Sequence, residues 1–138
     1  MELSPLCVTI IKFLDTIRVH DLGCSTEAKL EDKLYSLIKQ QIKTKKLSIS
    51  IQTQDRTHLE RVMRPDIILG ENNILIEIKY LDKSVNDIYR LFYQAVKYSK
   101  IAKEAVILFV FDPNSIFKSE DKKDIESLLP KVKVIHKL

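Results

Sequence analysis

Residues 64–80 read RPDIILGENNILIEIKY, and Asp66, Glu77 and Lys79 are the side chains in it whose types and spacing suit chemistry. Two apolar runs flank a short polar turn, and each run carries charge where a buried sheet does not want it. Strand side chains alternate, so Glu77 and Lys79 share one face while Ile76 and Ile78 point to the other. An antiparallel hairpin can bring Asp66, at the base of the first strand, close to the end of the second. Two carboxylates at the edge of an apolar sheet repel each other and lose hydration. A hard cation such as magnesium relieves both costs, because it binds carboxylate oxygens, a carbonyl and water. Lys79 would stand beside that cation, where an ammonium can orient or help activate an attacking water. The competing account is an ordinary surface ion pair between Glu77 and Lys79, with Asp66 a turn residue after Pro65.

The E-x-K triplet by itself carries nothing. Glu27-Ala28-Lys29, Glu31-Asp32-Lys33 and Glu120-Asp121-Lys122 match it too, all on predicted helices with polar neighbours. Only Glu77-Ile78-Lys79 sits inside an apolar strand.

The elements that must position these residues follow from pattern. Ser4-Pro5 starts a helix, with Ser as N-cap and Pro at the first helical position. Leu6, Ile10, Phe13, Leu14 and Ile17 form its apolar face, and Gly23 breaks it. Ser25 or Thr26 caps a second helix to about Lys43, with Leu30, Leu34, Leu37, Ile38 and Ile42 as its apolar face. LSISIQTQ (residues 47–54) alternates as a half-buried strand, and the following QDRTHLERVMR is polar and ambiguous between loop and strand. IILG and ILIEIKY are two strands joined by the turn Gly70-Glu71-Asn72-Asn73. A long helix follows, with Ser84 and Asp87 resembling a capping box and Ile88, Leu91, Phe92, Ala95, Val96 and Ile101 as its buried stripe. AVILFVF is a strand covered on both faces, ended by Asp112-Pro113-Asn114. A short helix near Ser119–Leu129 and a strand VKVIH complete the order. Strands after crossover helices return parallel, so the expected fold is α/β: a mixed sheet with helices packed on it.

The bulk composition sets bounds. A chain of 138 residues suits a single domain, residues 1–138, with a core of its own. Two Gly and four Pro leave little room for a disordered linker. Cys7 and Cys24 lack zinc-like spacing and point to a reducing, cytoplasmic setting. His20, His58 and His136 are scattered and suggest no metal pair. No run of about 18 apolar residues exists, so no membrane partner is expected. The first residues lack a basic stretch ahead of the apolar ones and read as helix, not as a signal peptide. A net charge of +4 and a pI near 9.0 allow a nucleic-acid partner without requiring one.

Pro65-Asp66 followed by Glu77-Ile78-Lys79 resembles the signature of the PD-(D/E)XK nuclease superfamily. That family's core, a restriction-endonuclease-like mixed sheet in the order helix, three strands, helix, strand, resembles the order read here from Glu27 to Phe111. The first helix and the last helix-strand pair lie outside it. The family often carries a glutamate on the helix before the sheet. Glu31, followed by Leu34, Leu37 and Ile38, is similar to archaeal Holliday-junction resolvases at that place, and Glu27 lies one turn earlier on the same face. Gln94-Ala95-Val96-Lys97-Tyr98 resembles the Q-x-x-x-Y motif of RecB-like nucleases, with Gln94 and Tyr98 one turn apart; the plainer account is a partly buried helix face.

The resemblance implies metal-dependent phosphodiester hydrolysis. Asp66, Glu77 and the Ile78 carbonyl would hold Mg2+ or Mn2+, with Glu31 contributing through water or at a second metal. Lys79 would position the water and stabilise developing charge, and Gln94 and Tyr98 would steady the site or touch the phosphate. Substrate contacts are expected from Arg64, Lys97, Arg61 and Lys46 toward phosphates, with DNA expected ahead of RNA and a homodimer allowed. The alternative is a non-catalytic nucleic-acid-binding or subunit-interaction module on the same fold. Such relatives typically lose an acidic or lysine position, and here all are present.

Overall fold

The computed structural model describes residues 3–53, 64–81 and 86–138. The Ser84 cap, the stretch holding Arg56 and Arg61, and the last residue of the expected first strand lie outside these residues.

Helix α1 spans Pro5–Thr16; the Ser4 hydroxyl accepts the Cys7 N–H at 3.1 Å, and Cys7, Ile10 and Leu14 are buried. The helix ends earlier than Gly23, because Ile17 already adopts an extended backbone (φ −70°, ψ 129°). Gly23, at φ 65°, instead closes a separate 3-10 turn over Val19–Leu22. Helix α2 spans Glu27–Thr44, and its N-cap Thr26 accepts the Lys29 N–H at 3.2 Å. Leu30, Leu34, Ile38 and Ile42 are its buried face, and Leu37 is only partly covered.

The strands are β1 (Ile51–Thr53), β2 (Ile67–Leu69), β3 (Ile74–Tyr80), β4 (Ala105–Phe111) and β5 (Val132–Lys137). Helix α3 (Asn86–Ile101) connects β3 to β4, and α4 (Ser119–Leu128) connects β4 to β5. The five strands stand side by side in chain order. β1, β2 and β3 pair antiparallel, while β3, β4 and β5 pair parallel. The result is a mixed five-stranded α/β sheet. β1 is shorter than the alternation of 47–54 suggests, because its partner β2 has only three residues to offer. Leu47 and Ile49 pack on the core without joining the ladder.

Both faces of the sheet are covered. Ile74, Ile76 and Ile78 pack with α1 and α2, whereas Leu75, Val106, Leu108 and Val110 pack with α3 and α4. β4 is buried along its whole length. The buried stripe of α3 is Ile88, Leu91, Gln94, Ala95 and Tyr98. Phe92 and Val96, expected in that stripe, are only partly covered, and Ile101 is half exposed at the helix end. Helical rotation puts Gln94 and Tyr98 where the apolar count placed their neighbours. Cys7 and Cys24 are free thiols, and burial pushes the Cys7 thiol up to about 11. No helix among the described residues is long and apolar enough to cross a membrane.

The turn between β2 and β3 sets the register that matters most. Gly70 takes φ 68° and Asn72 φ 59°, both in the left-handed region. The Asn73 side-chain oxygen accepts the Glu71 N–H at 3.0 Å, and the Asn72 and Asn73 carbonyls accept the N–H groups of Lys103, Glu104 and Ala105. The turn is thereby tied to the start of β4. A Cβ at Gly70 would be strained by that φ and would collide with the Asn73 amide oxygen. Gly70→Ala should therefore cost about 1–3 kcal/mol in urea denaturation. A neutral substitution would show that the turn does not hold the register.

Candidate active site

β3 outruns β2. The last rung of their ladder pairs Ile67 with Ile76, and one step further the same register sets Asp66 opposite Glu77. From there the β2-facing edge of β3 has no strand beside it among the described residues. Two backbone N–H groups on that edge are satisfied by carboxylates instead. Asp66 Oδ2 accepts the Ile78 N–H at 2.7 Å, and Glu27 Oε1 accepts the Tyr80 N–H at 2.9 Å. Pro65, buried just before Asp66, has no N–H of its own to satisfy. Glu27 occupies the first turn of α2, where the helix dipole favours a carboxylate.

Glu77 and Lys79 face the α3 side of the sheet with Leu75, as strand alternation requires. Asp66, Glu77, Lys79 and Gln94 are all buried polar side chains. Burial pushes the Glu77 carboxyl up to about 10, a hydrogen bond to Asp66 and the Asp66 charge add to this, and the Tyr98 hydroxyl and Lys79 ammonium only partly oppose it. Burial and the neighbouring Asp66 thus favour the protonated over the charged form of Glu77. Burial, together with the Glu77 and Asp66 carboxylates, also holds the Tyr98 phenol well above its ordinary range, with Arg90 opposing. Lys79 Nζ lies 3.8 Å from Glu27 Oε1. Glu77 Oε2, Gln94 Oε1 and the Tyr98 hydroxyl are buried without a well-formed hydrogen bond. Buried polar atoms are almost always paired, and these three depart from that rule.

Most residues singled out by the sequence meet here. Asp66, Glu77 and Lys79 come from the sheet, and Tyr98 comes from α3 with Gln94 one turn before it. From α2, Glu27 reaches the E-x-K strand; Glu31, which has an interaction of its own, sits one turn further along, half-buried. Arg64 is exposed two residues before Asp66. Lys97 is exposed, its ammonium 5.7 Å from the centre of the Tyr93 ring. Lys46 is not near. It precedes β1 at the end of the sheet where the Gly70 N–H bonds the Ser50 carbonyl, and Asp66 lies at the opposite end of β2. Sequence order suggested proximity there, but an antiparallel strand reverses it. Arg61 lies outside the described residues.

A metal fits this donor set in kind. Asp66 and Glu77 supply hard oxygens, one of them unpartnered. The Ile78 carbonyl lies on the same edge of β3 as the N–H that Asp66 accepts, because both groups of a strand residue point the same way. Among the described residues no group of three or more His, Cys, Asp or Glu side chains is gathered at metal-binding distances. The remaining positions would fall to carbonyl and water, as magnesium prefers. No family model, curated protein or solved structure matches the chain.

Glu77→Gln tests the electrostatics directly. The unfolded chain releases this proton near the ordinary value of 4.5, whereas the folded state holds it to about 10. Stability is therefore full below the lower value and is lost as pH rises toward the upper one. In metal-free buffer Glu77→Gln should stabilise the protein on the order of 1–3 kcal/mol at alkaline pH, and hardly at pH 4. A gain that does not grow with pH in thermal melts would contradict a buried, protonated Glu77.

Proposed function

We propose that the protein has a restriction-endonuclease-like fold of the PD-(D/E)XK superfamily and hydrolyses phosphodiester bonds with a divalent metal, in DNA ahead of RNA. The observation that carries this reading is Glu77, buried with one unpartnered oxygen, across the sheet from Asp66 and beside Lys79. A surface ion pair would need none of this burial. The strand order, antiparallel through β3 and parallel after it, is what the family resemblance implies for the core.

Asp66, Glu77 and the Ile78 carbonyl would hold Mg2+ or Mn2+, which supplies a polarised water and neutralises charge at the phosphoryl group. The chain's own groups do the rest. Glu77 gives up its proton when the cation is taken up. Lys79 offers its ammonium to the water and to the charge that develops on the phosphate. Glu27 acts through Lys79, holding the ammonium while it caps the Tyr80 N–H, so it is a positioning residue here, with Glu31 one turn further along the same helix. Tyr98 stays protonated and donates from its hydroxyl, and Gln94 offers its amide one turn away.

One observation favours the non-catalytic alternative: Asp66 and Glu27 each already cap a backbone N–H, a structural task that needs no chemistry. Incubation with supercoiled, linear, single-stranded and branched DNA, and with RNA, in magnesium or EDTA separates the two. Cleavage should require the metal, and Asp66→Ala should abolish it. Activity that survives exhaustive chelation excludes the mechanism, and no cleavage under any condition favours the binding module. Because Glu77 must lose a proton, the melting-temperature rise given by Mg2+ should grow from pH 6 to pH 9 and vanish in Glu77→Gln.

The roles of Lys79 and Glu27 separate in kinetics. Lys79→Ala should lower turnover about a hundredfold or more while binding in calcium changes little. Glu27→Gln should lower turnover more than Glu31→Gln does. Equal losses of affinity and turnover in Lys79→Ala would make Lys79 a binding cation.

A further inference from the structure

A groove of about 640 Å³ lies between α2 and the chain that leads into β1, at the end of the sheet away from Asp66. Its floor is apolar. Leu47, Ile49 and Ile51 pack on the core from one side and keep part of their surface open, and Tyr35 adds its ring from α2. Its rim is cationic. Lys39, Lys43 and Lys46 stand exposed around it, and among the described residues no acidic side chain lines it. Ile51 also belongs to β1, the outermost of the described strands. The Ser50 carbonyl faces β2, where it accepts the Gly70 N–H at 2.8 Å. Backbone alternation then turns the N–H and C=O groups of Ile51 and Thr53 away from β2. Among the described residues no strand pairs with them, so the groove opens along a free strand edge.

We infer that this groove and the free edge of β1 dock an extended, acidic segment of a partner protein. The segment adds as a further strand, its backbone pairing with Ile51 and Thr53. Its apolar side chains cover Leu47, Ile49 and Ile51, and its carboxylates meet the three lysines of the rim. Charge complementarity selects an acidic partner, and the aliphatic floor selects a peptide over nucleic acid. Phosphates satisfy lysines but leave that floor open to water, and the Lys39 ammonium, 5.8 Å from the ring centre, already lies over Tyr35. A second copy is disfavoured by charge, because a twofold pairing of β1 with β1 sets the same lysines against each other. The groove is remote from Asp66, so the inference stands apart from the nuclease reading.

The test is binding of fluorescein-labelled probes to the full chain in metal-free buffer, followed by anisotropy. The main probe is a synthetic peptide with a Val-Ile-Val-Ile centre flanked by glutamates. The others are the same centre flanked by lysines, an all-glutamate peptide of equal length, and oligo-dT. The glutamate-flanked peptide should bind most tightly and weaken as salt is added. Lys43→Glu and Lys46→Glu should each weaken it about tenfold. Both positions are exposed, so these variants should melt like the parent. Methylating alternate backbone nitrogens of the peptide should cost about tenfold or more in one phase and little in the other, because only one set of N–H groups faces β1. The docking site is overturned if no peptide binds, if the all-glutamate or lysine-flanked peptide binds as tightly, or if methylation in neither phase matters. It is overturned equally if oligo-dT binds more tightly than the peptide and is lost in the lysine variants, or if sedimentation shows that those variants dissociate a dimer.

Discussion

The hydrogen bond from the Ile78 N–H to Asp66 Oδ2, 2.7 Å long and buried, is the constraint around which the site is arranged. β3 has seven residues and β2 has three. A strand that outruns its neighbour leaves donors on its edge, and a buried donor left unmade costs about 1–3 kcal/mol. The chain meets this need with carboxylates rather than with more strand. Asp66 closes the edge at Ile78, and Glu27, arriving from α2, closes it at Tyr80. The same gap in the sheet thus gathers acidic oxygens beside Glu77.

Gathering them has an electrostatic consequence. Glu77 is buried against Asp66, and the one buried ammonium nearby, Lys79, does not suffice to keep it ionised. Burial and Asp66 favour the protonated carboxyl there, and Gln94 and Tyr98 add buried polar atoms that make no well-formed hydrogen bond. Each of these departs from what the surrounding core achieves. β4 and the isoleucines of β3 are packed on both sides, with no such conflict. Local rules are thus broken together in one place within an otherwise consistent fold, which is what supports the proposed site.

Helix α3 presents two different faces. Its buried face carries Gln94 and Tyr98 over the sheet, and its outer face carries Tyr89, Tyr93 and the cations.

Alternation of apolar and charged residues from Ile74 to Tyr80 determined β3 and put Glu77 and Lys79 on one face, because a strand has a period of two. Spacing of four put Gln94 and Tyr98 on one side of a helix, and Gly70 with Asn72 and Asn73 announced the turn that sets Asp66 across from Glu77. These are local properties, carried by the backbone geometry of a single element or hairpin. Other features belonged to the tertiary structure. Glu27 and Glu31 share a helix face, and only the path of α2 past the end of β3 decides that Glu27 reaches Lys79 and the Tyr80 N–H. Lys46 looked close in sequence, yet the antiparallel run of β1 and β2 puts it at the far end of the sheet. The short ladder of β1 depended on the length of its partner. The upward push on the Glu77 carboxyl followed from its burial beside Asp66. Distances between elements and the loss of solvent arise only when the layers pack, and no pattern within one segment encodes them.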